Sequence, residues 1–266
     1  MESAKADTNV VSPSVIEAEE TKAVPAFNAT LFKDEVIIFT SDQSANRFKI
    51  ESNINNYYGL YTPAYDGFVE TWYDQSGNGN DAVQSTTSKQ PKIVDGGSIV
   101  TDSNQNPSIQ FKRLAGIGGG FLRLKTPIAP MGTTNFAVVD YRRSFAYHLT
   151  GADGGNIRVG LYSSGRFRVI SGGQSVFSTA TFANNSVHLF TADIASSGGT
   201  SRVFGDGAEV LSNDFPDANN NFRDIFRGDN DSTGPILITE LIIFGTSQLA
   251  NRPAIEANIN NQYSIY

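Results

Sequence analysis

Val203-Phe204-Gly205-Asp206-Gly207-Ala208-Glu209-Val210-Leu211 sets two apolar-rich runs on either side of Gly-Asp-Gly. Glycine and aspartate accept the positive φ angles of a tight reversal, so the stretch reads as a β-hairpin. Outward from it, Val187 to Ala192, Arg166 to Ile170, Ile157 to Tyr162, Asn135 to Val139, Gly120 to Leu124 and Pro107 to Phe111 are short apolar or alternating runs. Each is bounded by Gly, Asn, Asp or Ser, the punctuation of strands and turns. Ser163-Ser164-Gly165 supplies a second turn, and Ile236 to Phe244 a last strand. Seven or more short strands and a single terminal helix predict an all-β chain, a double-sheet jelly roll from about Asp66 to Tyr266.

Composition agrees and excludes several functions. Gly 25, Phe 18 and Tyr 10 suit tight turns around an aromatic core. Twenty Lys+Arg against 27 Asp+Glu leave a net charge of −7, so there is no basic surface to neutralise phosphates and no nucleic-acid partner is expected. With Cys 0 and only His148 and His188, thiolate chemistry, Cys-based zinc and a His triad have no material. Met1 to Asp7 lacks a basic, apolar leader, and no run approaches the ~18 apolar residues of a membrane span. Synthesis in the cytoplasm, with no membrane partner, is the expectation.

Self-similarity organises the rest. Glu35-Val36-Ile37-Ile38-Phe39 followed by Gln43, Ala45-Asn46-Arg47, Ile50-Glu51, Asn53-Ile54-Asn55-Asn56, Tyr58 and Tyr61 recurs at constant offset. The second copy is Glu240-Leu241-Ile242-Ile243-Phe244, Gln248, Ala250-Asn251-Arg252, Ile255-Glu256, Asn258-Ile259-Asn260-Asn261, Tyr263 and Tyr266. Each copy predicts a strand, a polar turn and a helix. Ser41 or Asp42, and Thr246 or Ser247, are the cap candidates, and Ile50/Ile54 and Ile255/Ile259 share one helical face. Pro253 fits only a first helical turn, so the second helix, about 248–262, begins near Asn251. Residues 1–34, with Pro13, Pro25 and neither strand nor helix periodicity, read as an arm that is disordered or ordered by a partner. Residues 35–61 then read as the remnant of an upstream module or as an attachment segment resting on Glu35, Ile37, Phe39, Ile50, Ile54 and Tyr58, and 62–266 as the sandwich.

Two motifs are candidates for binding. In Trp72-Tyr73-Asp74-Gln75-Ser76-Gly77-Asn78-Gly79-Asn80-Asp81, Gly and Asn suit left-handed turn positions and Asp74 can accept turn N–H groups. The motif is either a structural turn anchored by Trp72 or a sugar platform. In the second reading Trp72 or Tyr73 stacks on a pyranose and Asp74, Asn78 or Asn80 bonds its hydroxyls. Asp229-Asn230-Asp231-Ser232-Thr233-Gly234 with Glu240 approximates a calcium loop through Asp229 and Asp231. Thr233 is a poor ligand, however, and a strand follows, so a hairpin loop is the plainer reading and no cofactor is expected. Residues 112–200 carry Asp140, Asp153 and Asp193 but no Glu, which offers no clear carboxylate pair for hydrolysis.

Gly67 to Ala82, with Gln90-Pro91-Lys92-Ile93-Val94, Pro107-Ser108-Ile109-Gln110-Phe111 and the closing Glu240 to Tyr266 segment, resembles the concanavalin A-like (laminin-G-like) jelly rolls of bacteriophage structural proteins. It is also similar to the sandwich of arabinofuranosidases. Such modules carry a longer lead before the Trp-Tyr-Asp turn. Here only Thr62-Pro63-Ala64-Tyr65-Asp66 separates Tyr61 from Gly67, so the sandwich lacks a strand or residues 1–61 supply one. The resemblance implies a non-enzymatic virion protein: a capsid decoration, head-fibre or tail-associated subunit at the virion surface, made in the host bacterial cytoplasm. Its implied partners are other virion proteins, further copies of itself in a homo-oligomer such as a trimer, and host or environmental glycans. The alternative is a glycoside hydrolase or a carbohydrate-binding module.

Overall fold

The computed structural model describes residues 8–11, 36–39, 50, 54, 66–111, 113–114, 118–142, 146–151, 157–162, 165–196, 198–217, 221–226 and 235–266. The chain divides into two units, Met1–Pro63 and Ala64–Tyr266. In the first, β1 (Thr8–Val11) and β2 (Val36–Phe39) pair antiparallel, with Thr8 opposite Phe39 and Val11 opposite Val36. Ile37 and Phe39 lie in this strand, and Ile50 and Ile54 are helical and half-buried. Glu35 and Tyr58 lie outside the described residues, as do the proposed calcium residues Asp229 and Asp231.

The second unit opens with β3 (Gly67–Phe68), β4 (Thr71–Trp72), β5 (Ala82–Val83), β6 (Lys92–Asp95), β7 (Ser98–Ile99) and β8 (Ile109–Phe111). It continues through β9 (Arg113–Leu114), β10 (Gly118–Gly119), β11 (Leu122–Ile128), β12 (Thr133–Tyr141), β13 (Ala146–Gly151) and β14 (Ile157–Leu161). Then come β15 (Arg166–Ser171), β16 (Gln174–Thr181), β17 (Val187–Ile194), β18 (Thr200–Gly205) and β19 (Ala208–Asp214). It closes with β20 (Phe222–Ile225), β21 (Ile236–Phe244) and helix α1 (Arg252–Tyr263). One sheet runs β16-β15-β14-β13-β20-β11-β5-β4 and the other β19-β18-β17-β12-β21-β8-β6-β3. Their pairs are antiparallel, and Phe111, Tyr141 and Phe190 of one sheet meet Leu149, Phe167 and Phe222 of the other in one apolar core. The Phe167 and Phe190 rings stack at 4.4 Å. The all-β sandwich with a C-terminal helix expected from the sequence is the architecture found.

The outer sheet shows why its central strands are apolar on both faces. All nine residues of β12 are buried. Ala137, Val139 and Tyr141 face the opposing sheet, while Phe136 and Val138 join Val187 and Leu189 of β17 in a second cluster closed by Ile255, Ile259 and Tyr263. Helix α1 therefore covers the outside of the sheet, and Ile255 and Ile259, four apart, are the face it turns inward. Strand β21 serves both clusters because its register against β12 slips between Ile238 and Glu240. The slip exchanges the strand's faces: Ile236 and Ile238 point to the inner core before it, Ile242 and Phe244 to the helix cluster after it.

The cap expected at Thr246 or Ser247 is not formed. The Ser247 hydroxyl instead donates to Asp193 Oδ1 at 2.7 Å, and α1 begins after Asn251 without a side-chain cap. Pro253 stands in its first turn, as its missing N–H requires. Glu256, one turn on, is buried where it accepts from Thr191 Oγ1 at 2.6 Å and pairs with Arg252. Arg252 itself lies over the Phe204 ring, 3.7 Å from its centroid.

Candidate functional site

Strand β3 reaches its neighbour through a glycine. A Cβ on Gly67 would stand 3.0 Å from Val94 Cβ, so a larger residue here would have to push the Val94 side chain aside by a few tenths of an ångström. From there the chain alternates: Phe68 is exposed, Val69 buried, Glu70 exposed, Thr71 and Trp72 half-buried. Here the chain crosses from one sheet (β3) to the other (β4), and the consecutive residues Phe68 to Tyr73 all line a groove.

The turn that follows is held from within. Asp74 Oδ1 accepts the Ser76 N–H at 2.8 Å and Oδ2 the Asn80 N–H at 2.9 Å, while the Asp74 N–H donates to Asp81 Oδ1 at 2.9 Å. The hydrogen bonds from Ser76, and then from the Asn80 backbone, hold the Asp74 carboxyl below the usual carboxylate range. Asp81 is lowered likewise, chiefly by Lys125 at 2.6 Å. Gly77 and Gly79 take φ of 84° and 70°. Asn80 braces the turn on the neighbouring strand, accepting from Thr126 N at 2.7 Å and donating to Thr126 O at 3.0 Å. The Asn78 side chain donates to Ser76 Oγ at 2.9 Å. The carboxylate of Asp74 is thus engaged by the turn and the amide of Asn80 by Thr126 of β11.

Beside this turn lies a groove of about 470 Å³. Its floor is the buried Val69, Ile109 and Ile238, and its rim carries Phe68, Tyr73 and Ile93. These three are 51%, 66% and 37% exposed, and among the described residues the sole other large exposed apolar side chain is Tyr266. Trp72 has two contacts at once, one side packed on the core and the other lining the groove. Of the five residues marked in the sequence as sugar contacts, the structure brings Trp72 and Tyr73 to the groove, and Asp74, Asn78 and Asn80 do not line it. The lining residues that sequence reasoning did not single out include Phe68, Glu70, Gln75 and Ile93. Ile93 was not legible, because an isoleucine in a strand reads as core.

Among the described lining residues Glu70 is the single carboxylate, and none is cationic. Ser108 Oγ and Thr239 Oγ1 lie 2.8 Å apart at the floor, with Thr239 also bonded to Asp102 Oδ2 at 2.8 Å and Ser108 to Asn106 O at 2.9 Å. Lys92 stands 6.0 Å over the Phe68 ring, held by Asp66 at 2.7 Å and Asp95 at 2.9 Å. Its ammonium pKa is raised, first by the Asp66 bond. Among the described residues no group of three or more His, Asp or Glu side chains is placed to hold a metal ion.

The fold and groove define a two-sheet antiparallel β-sandwich with an aromatic-rimmed surface cleft. The sequence matches no family model and no curated protein sequence. Among solved structures, the chain is similar to the botulinum neurotoxin type G receptor-binding domain at 12% identity, covering 74% of this chain and 51% of that one, TM-score 0.44. It is similar to a mutant of Trypanosoma rangeli sialidase displaying trans-sialidase activity at 14% identity, covering 71% and 31%, TM-score 0.46. It is also similar to the carbohydrate-binding module CBM66 from Bacillus subtilis at 7% identity, covering 50% and 89%, TM-score 0.36. The chain spans about half the length of the neurotoxin chain.

Proposed function

We propose that this chain is a glycan-binding sandwich without catalytic activity, displayed as a capsid-decoration, head-fibre or tail-associated subunit of a bacteriophage particle. The observation that carries the binding reading is the convergence of Phe68, Tyr73 and Ile93 with Trp72 on one cleft. Exposed apolar groups gathered on a concave surface mark a contact site, and flat rings are the groups that stack on the apolar face of a sugar. The cleft lies within the volume range of small-ligand sites, roughly 300–1,000 Å³. A solitary carboxylate supports binding over glycosidic hydrolysis, which needs a facing pair. The virion reading rests on the resemblance of the Trp72 turn and of the closing strand and helix. In it, residues 1–61 attach the sandwich to neighbouring subunits, and many weak copies acting together give useful avidity.

The binding half is tested by glycan-array binding of the full chain and of Tyr73→Ala. Loss of at least tenfold in affinity for every bound glycan is expected, and binding by the variant at full strength removes the cleft from consideration. The virion half is tested by mass spectrometry of purified particles for the tryptic peptide Leu114 to Arg123 at stoichiometric abundance. Recovery of that peptide from the soluble fraction alone would overturn it.

A further inference from the structure

We infer that the cleft selects sugars that are neutral or carry an amino group and rejects sugars whose contacting ring bears a carboxylate, sulfate or phosphate. The inference rests on the glycan-binding reading above and concerns the class of glycan.

The argument is an account of protons and charges at the cleft. Both hydroxyl protons at the floor have protein acceptors. Thr239 donates to Asp102, and Ser108 has the carbonyl of Asn106 and the Thr239 oxygen to receive its one proton. Neither hydroxyl therefore has a proton left for a ligand. The Gln75 side-chain amide donates one proton to Tyr73 O at 3.1 Å, which leaves its second N–H and its oxygen. Glu70, exposed on the cleft, is acceptor only when ionised. Thr71, Trp72, Tyr73 and the second amide proton of Gln75 also line the cleft and can donate, so its neutral groups admit donors and acceptors alike, and it is the Glu70 carboxylate that calls for a donor. Sugar hydroxyls supply one, and an ammonium group does so with a charge opposite to that of Glu70.

Charge points the same way. Glu70 is the one charged residue among those lining the cleft, and the whole chain carries a net −7. The adjacent cation is already committed, since Lys92 is bonded to both Asp66 and Asp95. An anionic sugar would meet the like charge of Glu70 with no cation among the lining residues to offset it. The ring faces of Phe68 and Tyr73 favour cations over anions, in the same sense as Glu70, which carries the one formal charge on the cleft.

The experiment uses the full chain and four immobilised probes: neutral hexose oligosaccharides, glucosamine oligomers, and the uronate and sialylated oligosaccharides of matched length. Neutral or glucosamine probes are expected to bind at least tenfold more tightly than the anionic ones. Glu70→Gln is expected to keep neutral binding within about threefold while lowering glucosamine binding toward the neutral level, a change a structural role for Glu70 would not produce. Glu70→Lys should bring the anionic probes up to or above the neutral ones. If the wild-type chain binds anionic probes best and Tyr73→Ala abolishes that binding, the selectivity is wrong and the glycan site stands. If Tyr73→Ala and Phe68→Ala leave binding of every probe intact, the cleft is not the site. If no probe binds the wild-type chain, the proposed function fails and this inference with it.

Discussion

The β1–β2 pair and the β12–β21 pair are the same construction in two settings. Thr8, Asn9, Val10 and Val11 lie opposite Phe39, Ile38, Ile37 and Val36. Thr134, Asn135, Phe136 and Ala137 lie opposite Phe244, Ile243, Ile242 and Leu241. The repeated strand thus has an equivalent antiparallel partner in both copies, at the same register and with a Thr-Asn pair at the matched positions. The settings differ. Strand β12 is also paired along its other edge, eight residues deep, with β17. Thr134 Oγ1 there donates to Asp193 and accepts from Gln248 N, and α1 closes the outer face. Among the described residues β1 is paired with β2 alone. A two-stranded pair is marginal in water. The repeated strand therefore makes an equivalent pairing in both settings, and its stability is set by what covers it.

The largest test of this difference is Phe136→Ala against Val10→Ala, the matched position in the hairpin. Phe136 is fully buried between β12 and α1, so its loss is expected to cost the sandwich about 3–5 kcal/mol, while Val10→Ala should move the same transition by less than about 1 kcal/mol. Urea denaturation followed through Trp72, the one tryptophan, reads the second unit. Equal losses would mean that the hairpin is as much a part of the sandwich core as β12 is.

Glu256→Ala against Glu51→Ala is the next. Removing Glu256 strips Arg252 and Thr191 of a buried partner, at a cost of about 3 kcal/mol, whereas Glu51→Ala should stay within about 0.5 kcal/mol in the same transition. A large effect of Glu51→Ala would show that the first copy is docked on a surface of the same kind.

Acid sharpens the comparison further, because residues 1–63 contain no histidine. His148 is fully buried, and burial holds its pKa down at about 3 against 6.5 when unfolded. Its folded form thus binds fewer protons than its unfolded form across that window. Stability is full above pH 6.5 and falls as pH drops toward 3, by up to about 1.4 kcal/mol per pH unit from this group. His148→Gln should flatten that part of the acid limb; an unchanged slope would assign it to carboxylates.

The smallest effect belongs to His188. Burial pulls its pKa down, but the bond to Asp206 at 2.8 Å and that carboxylate's charge prevail, and the net shift is upward. Its contribution is therefore present below pH 6.5 and lost as pH rises through the folded value, opposite in sign to that of His148. His188→Ala should cost more at pH 5.5 than at pH 8.5, measured by thermal unfolding at both; the reverse order would reject the Asp206 bond as the stabilising one.

Much of the sandwich was readable one strand at a time. Ile236 to Phe244 matches β21 end to end, and the Gly205-Asp206-Gly207 turn joins β18 to β19 as expected, with Asp206 and Gly207 at positive φ. Strands β13, β16 and β20 were not foreseen. Gln174 to Thr181 is an edge strand whose residues are mostly polar, and Phe222 to Ile225 is four residues long, so neither shows the alternation that marks a half-buried strand. At the site, Trp72 and Tyr73 were marked from the turn they begin, whereas Glu70 and Ile93 join them only because β3 pairs with β6.

What the sequence by itself determined is what local chemistry dictates: the turns that need Gly, Asn or Asp, the strands that alternate, the helix that starts at a proline and turns two isoleucines inward, and the repeat. What only the tertiary structure decided is which side chains share a space. The slip between Ile238 and Glu240 exchanges the faces of β21, Ser247 gives its hydroxyl to Asp193 instead of a helix end, and Phe68, Tyr73 and Ile93 meet over one cleft. Each of these outcomes depends on the pairing of residues far apart in the chain, and no local preference contains that information.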